Sequence, residues 1–339
     1  MRKARNIRFV CLAVLSVLSI VSCSKESPVQ TGDTPIVFSA RLDDDAATKG
    51  HITDAALGSF GVFTGFSSGE GRSVTKEWTY MVNVPYSRSI STGTFDTDPA
   101  RYWPVAGRLT FLAIAPYVES ITGTMDFTGQ GGYPSFLWAP DSDPEEQIDL
   151  CVAVNPDQTR QMEVPLCFHH ATSQIRFAAN CDKLESSQFI IIDKISVTDV
   201  IGEKRATVTD TPPYVEWESD AGLSRDAAYE LSLTGGHLRD IRLPLSSDEP
   251  RGEEISTDTG SLFIVPQFSD IKITVEYRLC FDPGDGSAEL VSPYTGTAVV
   301  PRHEWNPDTK YRLLLTIHNI WELEGISVQF TPYQSFPEL

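Results

Sequence analysis

The feature that most restricts this chain is a period of two. In DIKITVEYRLCF, Ile271, Ile273, Val275, Tyr277 and Leu279 alternate with Lys272, Thr274, Glu276 and Arg278. Successive side chains of an extended strand point to opposite faces, so the pattern presents one apolar and one polar surface. YRLLLTIHNI keeps the phase with Tyr311, Leu313, Leu315 and Ile317, and KEWTYMVNVPYS does so with Trp78, Tyr80, Val82, Val84 and Tyr86. IDLCVAV alternates Ile148, Leu150, Val152 and Val154. GRLTFLAIAPY, residues 107–117, is apolar at nearly every position and is predicted to be a central strand.

Turn-formers separate these runs: FDTDPARYWP, DSDPEEQ, TPPY, SSDEPRGEE, DPGDGS and NPDTK. Short alternating strands with Pro, Gly and Asp between them predict an all-β fold. About seven strands per half suit two β-sandwiches in tandem. Helices have room for a turn or two, at residues 220–231 and 51–57. NPDQTRQME interrupts two apolar runs and divides the chain into residues 36–160 and 161–339.

The amino terminus has a different pattern. Arg2, Lys3, Arg5 and Arg8 precede an apolar run from Phe9 to Ile20, the order of a secretion signal. The run is shorter than the roughly 20 residues a spanning helix needs. SIVSC then places Cys23 where a bacterial lipobox has its cysteine. Residues 1–22 are therefore expected to be a lipoprotein signal and Cys23 the acylated residue, several acyl chains giving durable attachment to the outer membrane. The polar stretch that follows makes residues 23–35 a flexible tether.

Removing residues 1–22 takes away four basic residues and no acidic ones, so the net charge of -19 becomes -23. So acidic a body repels phosphate backbones, which excludes nucleic acid as a partner.

Motifs for chemistry are scarce. The 46 Asp and Glu residues fall mainly in turns, and no carboxylate pair stands out as catalytic. DPGDGS lacks the spaced ligands of a calcium loop and reads as a hairpin turn. Asp43, Asp44 and Asp45 read as a solvated loop. His169 and His170 have no HExxH context or nearby ligand set and read as structural, so no metal, cofactor or catalytic residue is expected. Cys151, Cys167, Cys181 and Cys280 admit three disulfide connectivities. Their strand-like settings favour buried thiols. Trp103, Trp138 and Trp305 are expected to plug sandwich ends, the other reading being rings exposed to sugars.

PIVFSA, LGSFGVFTG, RYWPVAGRLTFLAIAPY, CFHHATSQIRF, SLFIVPQ and WNPDTKYRLLLTI follow the lipobox in that order. This arrangement resembles the fimbrillin-like lipoproteins of the Bacteroides group. The resemblance implies transthyretin-like sandwiches, export to the cell surface and a non-enzymatic role in a fimbria contributing to adhesion. It further implies proteolysis after a basic residue near the first strand, with Arg41 and Lys49 as candidates. Strand exchange with other fimbrial subunits would then fill the groove. A stand-alone surface lipoprotein binding glycan or host protein is the alternative, and the adhesive ligand is unassigned.

Overall fold

A computed structural model describes residues 29–43, 57–68, 76–128, 132–181, 187–233, 242–243, 253–255, 261–281, 284, 289–318 and 326–332. The fold is all-β, as the periodicity requires.

In the amino-terminal half, β2 (Phe38–Leu42), β3 (Ser59–Ser67), β4 (Glu77–Arg88) and β5 (Phe95–Asp96) join β7 (Arg108–Ala115), β10 (Cys151–Gln158) and β11 (Val164–His170). They form a closed barrel in the order β10-β11-β2-β5-β4-β3-β7. This is a closed barrel where two open sheets were expected, and β11 completes it from beyond the division placed at residue 160. The reason is a parallel pairing of β2 with β11, distant in sequence, which leaves no trace in local periodicity. Phe38, Phe60, Tyr86, Phe95, Phe111 and Phe168 fill the interior. A ribbon of β1 (Thr31–Pro35) and β6 (Tyr102–Pro104) precedes the barrel, so the end of the expected tether is a paired strand.

A four-stranded sheet covers the barrel's outer wall. It comprises β8 (Met125–Asp126), β9 (Ser135–Trp138), β14 (Lys204–Val208) and β15 (Val215–Trp217). Phe136, Trp138 and Ala206 pack there against Phe63, Leu112, Ile114 and Val152. β7 is consequently buried on both faces, which accounts for its unbroken apolar sequence. β10 behaves likewise: Val152 and Val154 face outward to the covering sheet, while Cys151 and Ala153 face the barrel.

The remaining strands make two facing sheets. One holds β12 (Ser173–Cys181), β18 (Glu253–Glu254), β19 (Leu262–Ile264), β22 (Thr309–Ile317) and β23 (Ile326–Pro332). The other holds β13 (Gln188–Val200), β16 (Ala227–Ser232), β17 (Arg242–Leu243), β20 (Gln267–Phe281) and β21 (Glu289–Trp305). Ile175, Phe177, Ile190, Ile273, Val275 and Leu313 meet between them.

Local departures from the sequence reading have local causes. The short helix expected in residues 220–231 is a turn leading into β16, where Tyr229 and Leu231 are buried and Glu230 is exposed. In β4, two residues oppose one of β3 between Val62 and Thr64, with Asn83 at φ 49°. That bulge turns Met81 and Val84 into the barrel and leaves Val82 exposed, breaking the expected alternation. β20 and β21 pair antiparallel up to Phe281 opposite Glu289, while DPGDGS, read as a turn, lies outside the described residues apart from Gly284. Trp103, Trp138 and Trp305 are buried, so none offers a ring to solvent. Cys151, Cys167, Cys181 and Cys280 form no disulfide.

Candidate functional site

β2 is a short strand with a large share of the barrel core. Phe38 lies at its start, fully buried, with ring centroids 4.7 Å from Tyr86, 5.1 Å from Phe111 and 5.9 Å from Phe60, all edge-on. Such aromatic pairs each add about 0.5–1.5 kcal/mol to the burial itself. Ile36 and Leu42 are also buried, whereas Arg41 projects into solvent. On one side β2 meets β5 through a single pair, Phe38 opposite Phe95. On the other it runs along β11 from Val164 to Phe168. Cutting after Arg41 separates Ile36, Phe38 and Ala40 from the rest of the chain and leaves a groove between β11 and β5. Arg41 thus sits, exposed, within a strand whose neighbours Phe38 and Leu42 belong to the barrel core. Lys49 and Cys23, the other residues singled out in the sequence, lie outside the described residues.

β11 places its two histidines on opposite faces. His170 lies across from Cys151 in register, and its Nδ1 donates to Asp149 Oδ1 at 2.8 Å. Burial pulls the His170 imidazole down, but the hydrogen bond and charge of Asp149, with Asp308 beyond, hold it above its usual range. Burial pushes the neighbouring Cys151 thiol well up. Thr172, Gln174 and Lys310 join Asp149, His170 and Asp308 around a cavity of about 10 Å³, room for one water. His169 faces outward, with Nε2 3.4 Å from Asp43 Oδ2 and Nδ1 3.3 Å from Asp308 Oδ2. Each histidine thus has a carboxylate within reach of its ring. Asp308, on the turn before β22, escaped notice because it is so distant in sequence from β11.

A cleft of about 670 Å³ opens where the covering sheet meets the carboxyl-terminal half. Its size is that of small-ligand sites, roughly 300–1,000 Å³. Phe268 forms one wall and is 49% exposed, with the Arg302 guanidinium 4.4 Å from its ring centroid. Arg225 Nη2 donates to Phe268 O at 3.0 Å, and Phe268 N donates to Asp220 Oδ2 at 2.6 Å. Buried Lys204 donates from Nζ to Asp220 Oδ1 at 2.7 Å and to Pro266 O at 2.8 Å. Burial alone would raise the Asp220 carboxyl, but Lys204 and the Phe268 N–H bring it below its usual value. Trp217 completes the wall, anchored by its Nε1 to Ala171 O at 3.0 Å. Phe268 was not singled out in the sequence, since alternation reveals a face and not what stands beside it.

The family model for fimbrillin-like proteins matches residues 48–331. The chain belongs to the fimbrillin-like family. Among solved structures it is similar to a fimbrial protein from Bacteroides vulgatus, with 18% identity and a TM-score of 0.64. That match covers 87% of this chain and 98% of the other. A candidate cell adhesion protein from Bacteroides ovatus matches with 15% identity and a TM-score of 0.52, over 91% of this chain and 99% of that one. At these identities the likeness is one of fold. None of the curated proteins matches the sequence. A fimbrillin-like protein has a fimbrial or adhesion-related role at the cell surface, in a family that is typically non-enzymatic. Among the described residues, no helix is long and apolar enough to cross a membrane.

Proposed function

We propose that this fimbrillin-like protein is a structural or accessory subunit of a surface fimbria, made as an outer-membrane lipoprotein acylated on Cys23. Its fibre partners engage it by strand exchange at the seat of β2. The observation that carries the reading is β2 itself: five residues, with an exposed Arg41 among them, supplying Phe38 to the aromatic cluster of the barrel. Main-chain hydrogen bonds to β11 and an apolar slot for Phe38 are what an incoming strand must satisfy. Until it arrives, the cut barrel has two open edges and an uncovered core, so a partner strand stabilises it by mass action.

Treating the purified chain with an Arg-specific and, separately, a Lys-specific protease tests this, with terminal sequencing of the product and light scattering. A product beginning at Leu42 should form oligomers, and the Arg41→Ala, Lys49→Ala double variant should stay monomeric. A folded product cut at either site that remains monomeric, even beside the other fibre proteins, removes the polymerising role.

The cleft supports a second reading, a stand-alone surface lipoprotein that binds glycans. An exposed Phe268 ring beside Arg225 and Arg302 combines a stacking surface with hydrogen-bond donors. Binding of the uncut protein to immobilised glycans, lost in Phe268→Ala, is the result that reading requires.

A further inference from the structure

The outer face of β11 brings together residues that the chain keeps far apart. Cys167 and His169 alternate with Leu166 and Phe168, which point into the barrel core, so the first two share the outward side. The parallel register sets Cys167 opposite Arg41 and Phe168 opposite Leu42. Asp43 follows, its backbone N–H donating to Phe168 O at 2.9 Å. One carboxylate oxygen, one thiol sulfur and one ring nitrogen from Asp43, Cys167 and His169 consequently lie within 4.8 Å of one another.

His169 stands between two carboxylates, Asp43 at Nε2 and Asp308 at Nδ1. A neutral imidazole has one N–H and cannot donate to both. If Nδ1–H goes to Asp308, Nε2 presents a lone pair to an anion. A cation between Nε2 and Asp43 removes that conflict, and Asp308 then does what a carboxylate behind a metal-bound histidine does: it fixes the tautomer and the ring plane. Tyr214 packs edge-on against the same ring at 5.2 Å. The His169 side chain is 8% exposed and Asp43 38%, so the approach from solvent is over Asp43.

We propose that Asp43, Cys167 and His169 bind one zinc-like divalent cation, which fastens the carboxyl-terminal end of β2 to β11. Thiolate, imidazole and carboxylate suit a borderline ion of this kind, at about 2.0–2.3 Å per bond, with water in the fourth position. On binding, the Cys167 thiol releases its proton to solvent and the sulfur bonds the metal. The trio was invisible to a search for ligand spacing because its members come from two strands joined only by tertiary pairing. The site adjoins Arg41, so metal occupancy opposes release of β2. The binding part stands without the strand-exchange reading, since it is measured on the isolated protein.

The experiment titrates the metal-free full-length chain with zinc, and separately with cobalt, whose thiolate charge-transfer absorption reports sulfur ligation. One equivalent should bind. The cobalt band should vanish in Cys167→Ser and persist in Cys151→Ser, which alters only the enclosed Asp149, Cys151, His170 group on the other face. Asp43→Asn, a change at a half-exposed side chain, should also weaken binding, and Asp308→Asn should cost about 10–100-fold in affinity. Zinc at a hundred times its dissociation constant should slow Arg-specific cutting after Arg41 about a hundredfold, with Cys167→Ser as the control for zinc acting on the protease. Absence of stoichiometric binding, or a cobalt band that survives Cys167→Ser, overturns the site. Cutting at Arg41 that ignores bound zinc overturns its fastening role.

Discussion

Strands β7 and β20 are both rich in apolar residues, yet they are buried in different ways. β20 shows solvent one face, so Ile271, Ile273 and Val275 are buried while Lys272 is exposed and Thr274 half-buried. β7 has no exposed face, because Leu109, Phe111 and Ala113 line the barrel and Leu112 and Ile114 support the covering sheet. The contrast shows that alternation reports how many neighbours a strand has. Where a second layer arrives, the polar phase disappears and the sequence stops saying which side is inside.

The largest effect should come from the barrel interior. Phe38→Ala removes a fully buried ring in contact with three aromatics and should cost about 3–5 kcal/mol in urea denaturation. A loss below 1 kcal/mol, on the order of a surface change, would show that β2 is not part of the cooperative barrel. Leu112→Ala, on the outer side of β7, should cost about 2–5 kcal/mol, because that side is as deeply buried as the inner one. A near-neutral result there would mean that the covering sheet detaches before the barrel unfolds.

Gly61→Ala should cost about 1–3 kcal/mol, since an added Cβ would lie 2.0 Å from Asn83 Oδ1. Asn83 cannot easily yield: its Nδ2 donates to Val118 O at 2.9 Å and to Thr122 Oγ1 at 3.0 Å. Pairing Gly61→Ala with Asn83→Ala tests the clash, because the double variant should lose less than the sum of the two. Asp220→Asn should cost about 1–2 kcal/mol near neutral pH, allowing for solvent at the carboxylate and for the buried Lys204 left behind. The folded Asp220 carboxyl is depressed, so its contribution is complete above the unfolded value of about 4 and fades as pH falls through the lower folded one. The gap between wild type and variant should therefore close in acid; a gap that widens there refutes the pairing. Smallest of all, Thr274→Ala on the outer face of β20 should change stability by about 0.5 kcal/mol or less.

Much of the fold was legible where a strand has one wet face. The sequence runs for β20 and β22 matched the strands with ends off by up to three residues. In β4 the expected phase fails at Met81 and Val82, because nothing in YMVNVP announces that Asn83 will take a left-handed conformation and bulge. The segment DAAYEL was read as room for a helical turn, and its pairing with β13 makes it the strand β16 instead. Of the candidate site residues, Arg41 was named from the sequence, and it lies exposed within β2. The convergence of Asp43, Cys167, His169 and Asp308 was not, since Asp43 and Asp308 reach β11 from distant stretches of chain.

By itself the sequence determined an all-β chain, its strand periods, its turns and its membership of the fimbrillin-like family, because these are properties of neighbouring residues and of motif order. The tertiary structure alone decided that β2 lies parallel to β11 and closes a barrel, and that a sheet from both halves covers its wall. The physical reason is that hydrogen bonding between distant strands is chosen by the total core they enclose, and no single stretch of sequence carries that sum.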